Sequence, residues 1–230
     1  MSLQHSACTS LPACLTVPMK QKLDLDTWPR AAHFKFFRTF DEPFFGVCVD
    51  VDCTRAYAHC KSKAQSFFLF YLHKALAAAN AVEPFRLRIE DGDVYVHDQV
   101  HASPTIERPD GTFGYAYIEY HENWSQFTAA ATTEIERVRA GTELAPATAS
   151  ANVLHITALP WLDFTALSHA RHFGVADSAP KIAFGKMTES DDGMRSMPVS
   201  VHVHHALVDG RHVGDFVDAF QARMDEEQPG

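Results

Sequence analysis

Between Val201 and Gly210 the chain reads Val-His-Val-His-His-Ala-Leu-Val-Asp-Gly, which sets His205 at the end of an alternating stretch and Asp209 four residues later. One imidazole steadied by a nearby carboxylate is the minimum equipment for a general base acting on a hydroxyl or thiol. On a strand, Val199, Val201, Val203 and His205 share one face, while Ser200, His202 and His204 take the other. His205 alone should therefore lean toward the apolar side. Beyond Gly210 the period changes, with Val213, Phe216, Val217, Phe220 and Met224 recurring at helical spacing up to the acidic run Asp225-Glu226-Glu227. The histidine thus falls at a strand-to-helix junction, where a side chain is presented at the end of a sheet and a pocket can form. The same position also suits a packed structural histidine, and these residues alone leave both readings open.

Placed together, His204-His205, Asp209-Gly210 and His212-Val213-Gly214 resemble the signature of the chloramphenicol acetyltransferase family, whose relatives include the catalytic domains of dihydrolipoyl acyltransferases. Trp28-Pro-Arg-Ala-Ala-His-Phe34 is similar to the family's early tryptophan, arginine and His-Phe pattern. Ile156-Thr-Ala-Leu-Pro-Trp161 is similar to its Ser-Ala-x-Pro-Trp segment, with threonine for serine. Glu83-Pro-Phe-Arg86 and the Asp91-Gly92 turn lie in the expected interval. The resemblance runs from about Leu23 to about Met224, and the order of its segments adds to its specificity.

The resemblance implies a role for each matching residue. His205 would be the base that takes a proton from an acceptor hydroxyl as the oxygen attacks the thioester of acetyl-CoA. Thr157 would donate to the oxyanion, and Asp209 would pair with Arg30 in a buried bridge that supports the site. Phe37, Phe45, Phe113 and His155 fall at acceptor-binding positions; Trp161 and Lys186 fall near the nucleotide end of CoA. No metal is implied. The family's site lies between subunits of a homotrimer, with the base of one facing a pocket of its neighbour. Four positions depart from the chloramphenicol pattern: Phe37 replaces a tyrosine, Ala145 a phenylalanine, His155 an asparagine and Ala183 a threonine. These changes spare His205, Asp209 and Arg30 and reshape the acceptor side, so another alcohol or an amine is an alternative acceptor. A rival of another class is a non-enzymatic metal-binding module built on His202, His204, His205 and His212, since strand residues two apart can share a zinc ion. The parity of His205 opposes it.

Composition sets the outer bounds. A chain of 230 residues suits one compact domain. The net charge of −9, from 29 acidic and 20 basic residues, argues against a nucleic-acid surface but leaves room for an anionic co-substrate held by a few local cations. The odd set Cys8, Cys14, Cys48, Cys53 and Cys60 is no secreted disulfide framework, so reduced thiols in a cytoplasmic protein are expected. Cys48, between Val47 and Val49, reads as a buried, inert thiol. Residues 1–20 read as a flexible extension without a signal peptide, and 21–230 as a single acetyltransferase domain. The longest apolar run, Phe67 to Leu72, is far too short for a membrane span.

The elements that must position these residues follow from periodicity. Thr27 is expected to cap a helix starting at Trp28 that carries Arg30 and Phe34. Phe44–Val51 alternates as a strand, and Phe67–Asn80 reads as a helix buried on most sides. Strands at Leu87–Ile89 and Val94–Val96 flank Asp91-Gly92 as a hairpin. Phe113–Ile118 is a strand, and Trp124 to Val138 marks an amphipathic helix that Gly141 ends. Val153–Leu159, Lys181–Met187 and Met197–His205 add three strands, the last two joined through Glu189 to Gly193. The irregular interleaving predicts an α/β (α+β) fold, a mixed β-sheet with helices packed on it, as the resemblance to CoA-dependent acyltransferases also implies.

Overall fold

A computed structural model describes residues 20–144, 150–173 and 176–226. Its elements are β1 (Lys20–Lys22), α1 (Ala31–Phe37), β2 (Phe44–Asp52), α2 (Thr54–Ser62), α3 (Phe67–Ala81), a 3-10 turn (Glu83–Arg86), β3 (Leu87–Glu90), β4 (Asp93–His97), β5 (His101–Glu107), β6 (Phe113–Tyr115), α4 (Trp124–Ala140), β7 (Val153–Ala158), β8 (Lys181–Phe184), β9 (Thr188–Glu189), β10 (Arg195–His204) and α5 (Gly210–Asp225). The main sheet runs β2-β10-β8-β7-β5-β6, with β9 beside β10; β5, β7 and β8 are mutually parallel and the remaining pairs antiparallel. The mixed sheet is as expected. Strands β1, β4 and β3 form a second, antiparallel sheet.

Strand β10 is the backbone of the site. Its valines pair with those of β2 in register, Val199 with Val49 and Val201 with Val47, and the run ends where the His205 amide donates to Pro43 O at 2.8 Å. Helices α3 and α5 cover the valine face. Helix α3 is buried on most sides, from Leu69 to Ala79, and its small residues let α5 approach closely. Ser66 caps it by accepting the Leu69 amide at 3.3 Å, a bond of the kind that contributes about 1 kcal/mol. The Phe85 and Phe216 rings stack at 4.5 Å, joining the 3-10 turn to α5.

Several expectations need correcting. The first helix begins at Ala31 and not at Trp28; Thr27 Oγ1 donates to Asp24 Oδ2 at 3.0 Å in a preceding turn, and Arg30 occupies the cap position without a side-chain bond. Both faces of β10 are covered, so His205 is not alone in leaning inward: Ser200 and His204 on the other face are buried too. Cys48 is half-buried, whereas Cys53 and Cys60 are the enclosed thiols, pushed by burial up to about 12 and about 11. Cys8, Cys14, Ala145 and residues 1–19 lie outside the described residues; Lys20 opens β1 opposite His97.

Neither helix α2 nor strand β5 is legible in the sequence. Only Ala56 and Cys60 of α2 are buried, too faint an apolar stripe to read as a helix. Strand β5 carries Pro104, which ordinarily argues against a central strand. It is tolerated because it falls between the three-residue ladder with β6 and the separate Ala102–Ile118 bridge, where only its carbonyl is used, accepting the Ala116 amide at 2.9 Å. The Asp91-Gly92 hairpin stands, with φ of 52° and 84° at its two central residues, as a two-residue turn of this hand requires. Gly141 ends α4 with an extended backbone in place of a left-handed one.

Candidate active site

His205 leaves the sheet between two aromatic rings. Phe37 of α1 stacks on its imidazole at 4.0 Å and 11°, and Phe45 of β2 leans on it at 4.6 Å. The ring is partly exposed, yet its Nδ1 is buried and makes no hydrogen bond, so the accessible edge is the one bearing Nε2. Arg30 fixes the main chain here. Its Nη1 donates to Asp209 Oδ2, and its Nη2 donates to the His205 carbonyl at 3.3 Å. Asp209 also caps α5, accepting the Arg211 amide at 3.1 Å and the His212 amide at 3.4 Å, while its own amide donates to His212 Nδ1. Burial alone would raise the Asp209 carboxyl; His212, its amide and Arg30 together hold it below the usual carboxylate range. The Arg30–Asp209 pair is more open than a buried bridge, with 14% and 33% of the two side chains exposed in the single chain.

Thr157 lies elsewhere. It pairs with Ala183, which pairs with Ser200, whereas His205 is five residues further along β10 and on the other face. At ~3.3 Å per residue and ~4.8 Å per strand, the two are separated by roughly 19 Å. They occupy opposite rims of the sheet. Thr157 opens into a pocket of about 590 Å³ that Phe113 and Trp161 also line. Lys186 is exposed and is not among the residues lining this pocket; its amide donates to Leu162 O at 2.7 Å. Thr105, Glu107, Tyr115 and Arg139 do line it and were missed in the sequence, chiefly because β5 was.

His155 belongs to a polar row. Ser103, His155, Lys181 and His202 lie opposite one another across β5, β7, β8 and β10, and the row ends at Gly46, where a Cβ would collide with the His202 ring. Lys181 is buried and donates to Asp177 Oδ2 at 2.5 Å. Burial, followed by Lys181, pushes His155 down to about 4; burial followed by Arg171 does the same for His204, and burial followed by His202 for His169. In the unfolded chain such groups titrate near ~6.5. The unfolded state therefore takes up protons first as pH falls, so these histidines' contribution to stability is complete above about 6.5 and is lost on the way down to about 4. Urea midpoints should hold level from pH 7.5 to about 6.5 and fall from there toward pH 5, and His155→Asn should flatten that slope.

His204 Nδ1 accepts the Ala206 amide at 3.2 Å, and His202 Nδ1 meets Ser200 Oγ at 3.1 Å. Among the described residues no three His, Cys, Asp or Glu side chains converge as a metal site, so the histidine-module alternative finds no ligand set there.

Comparison with known proteins places this arrangement. A solved chloramphenicol acetyltransferase superposes with a TM-score of 0.82 at 29% identity, covering 90% of this chain and 100% of that one. A probable dihydrolipoamide acetyltransferase from Listeria monocytogenes, at 14% identity and a TM-score of 0.61 over 85% of this chain and 89% of its own, shares the fold. The architecture is thus that of the CoA-dependent acyltransferases. A curated chloramphenicol acetyltransferase from Klebsiella is 28% identical over 211 residues, 90% of this chain and 95% of its own. With the chloramphenicol acetyltransferase family model matching residues 19–221, the chain belongs to that family.

Proposed function

We propose that this protein transfers the acetyl group of acetyl-CoA to a hydroxyl of chloramphenicol or a related hydroxyl acceptor, with His205 as base. The observation that carries the reading is the His205 imidazole, clasped by Phe37 and Phe45 with its Nε2 edge open, on a chain of this family. Nε2 takes the hydroxyl proton as the oxygen forms a bond to the thioester carbon. The resulting oxyanion accepts the Thr157 hydroxyl, the C–S bond breaks, and the imidazolium returns its proton to the departing thiolate. Phe37, Phe45, Phe113 and His155 shape the acceptor side; Trp161 and Lys186 serve CoA.

This chemistry requires two copies of the chain, because His205 and Thr157 stand on opposite rims. Exposed aromatic side chains support such a union at both, Phe36 and Phe40 near His205 and Phe113 and Trp161 near Thr157. A contact between unlike patches closes by rotation into a ring, here a homotrimer. The chain from Lys20, which opens β1, is read as one acetyltransferase domain behind an extension that ends before it. Among the described residues no helix is long and apolar enough to cross a membrane, and a cytoplasmic location is proposed with it.

The test follows CoA thiol release from acetyl-CoA with and without chloramphenicol. Release should depend on the acceptor, and Thr157→Ala should lower turnover about 10²–10³-fold with a smaller change in CoA affinity, the cost of one lost oxyanion donor. Release that ignores the acceptor would sink the reading.

A further inference from the structure

The floor of the Thr157 pocket is set by strand register. Thr105 lies one step beyond the Pro104–Ile156 pair and so flanks Thr157 on β7, while Thr105 pairs with Tyr115 and Glu107 with Phe113 across β5 and β6. Residues paired in this way share a face, so Thr105, Glu107, Phe113, Tyr115 and Thr157 line one surface. All five border the pocket. The Phe113 and Tyr115 rings meet edge to face at 5.7 Å and 89°.

Glu107 is the pocket's one lining carboxylate and Arg139 its one lining cation; among the described residues neither takes part in an ion pair or side-chain hydrogen bond. A carboxylate beside an aromatic ring on the same sheet face can hold an ammonium, the charge drawing it from one side and the ring's π face from the other. Glu107 is two residues beyond Thr105, which puts its Cα ~8 Å from that of Thr157. That separation suits an amine a few bonds from the reacting hydroxyl. Arg139, from the last turn of α4, is free to meet an anion such as a CoA phosphate.

Resting on the acetyl-transfer reading above, we propose that Glu107, with Phe113 and Tyr115, makes the acceptor subsite selective for hydroxyl compounds that carry a protonated amine. Neutral acceptors lack the group this subsite is built to neutralise. The preference extends the site beyond a neutral antibiotic and names an amino alcohol as the better substrate.

The experiment compares chloramphenicol with the amine left when its dichloroacetyl group is removed, which keeps both hydroxyls. Thiol release from acetyl-CoA gives kcat/KM for each at neutral pH, and calorimetry on the whole protein gives their binding. The ratio of kcat/KM, amine over chloramphenicol, should exceed one and fall about tenfold in Glu107→Gln, chiefly through KM for the amine. Glu107→Lys should lower it further. A ratio unchanged by either substitution overturns the proposal. Should the wild type turn over neither compound, the acetyl-transfer reading fails and calorimetry decides this one. Amine binding weakened about tenfold by Glu107→Gln sustains it; binding that is absent or indifferent to the substitution overturns it.

Discussion

Replacing His205 with alanine should lower acceptor-dependent thiol release at least ~10²-fold, the usual contribution of a positioned proton acceptor. The loss should appear in kcat with little change in KM for acetyl-CoA. The fold should tolerate the change, because the ring is partly exposed and its buried Nδ1 makes no hydrogen bond that would be lost. The two flanking rings, Phe37 and Phe45, would border a gap where the imidazole stood, and added imidazole should restore part of the rate by entering it. A merely structural histidine would give no such rescue. Thermal unfolding monitored in parallel separates lost chemistry from lost fold, and an undiminished rate in the alanine variant would remove His205 from the reaction.

Mixing two inactive variants should recover activity. When His205→Ala and Thr157→Ala chains are unfolded together and refolded at equal amounts, some junctions join an intact His205 on one chain to an intact Thr157 on the next. Random assembly makes this true of about a quarter of the junctions in a closed ring of unlike contacts. The mixture should therefore show about a quarter of wild-type turnover, against a hundredth or less for either variant alone. The basis is the register of β7, β8 and β10, which sets the two residues on opposite rims. If both served one substrate within a single chain, every chain in the mixture would be defective and no activity would return.

On the His205 side, His205 and Asp209 were legible because they are local, sitting on one strand-to-helix junction; Arg30, which reaches both the carboxylate and the His205 carbonyl from far away in the chain, was placed by the family resemblance alone. The helix after Gly210 and the Asp91-Gly92 hairpin were equally plain, since each rests on short-range periodicity or turn chemistry. The Thr157 side was read only in part. Pro104 hid β5, and with it the residues that β5 and β6 bring to the pocket. The polar row from Ser103 to His202 could not be seen either, because it is assembled from four strands whose neighbours are distant in the chain. The separation of His205 from Thr157 has the same origin. Periodicity places a residue on a face, but strand order decides which rim that face meets.

Arg88 ties the two sheets into one cooperative unit. Its guanidinium is enclosed, with Nε donating to Ala151 O, Nη2 to Val153 O, and Nη1 to Phe85 O and Leu87 O. Burial lowers its proton affinity, with a value of about 9, and the four carbonyls take the place of water. One side chain thus spans β3, the 3-10 turn and the approach to β7. Melting the small sheet alone would withdraw this side chain and leave the Ala151 and Val153 carbonyls without their donor, so the β3–β4 hairpin and the start of β7 rise and fall in a single transition.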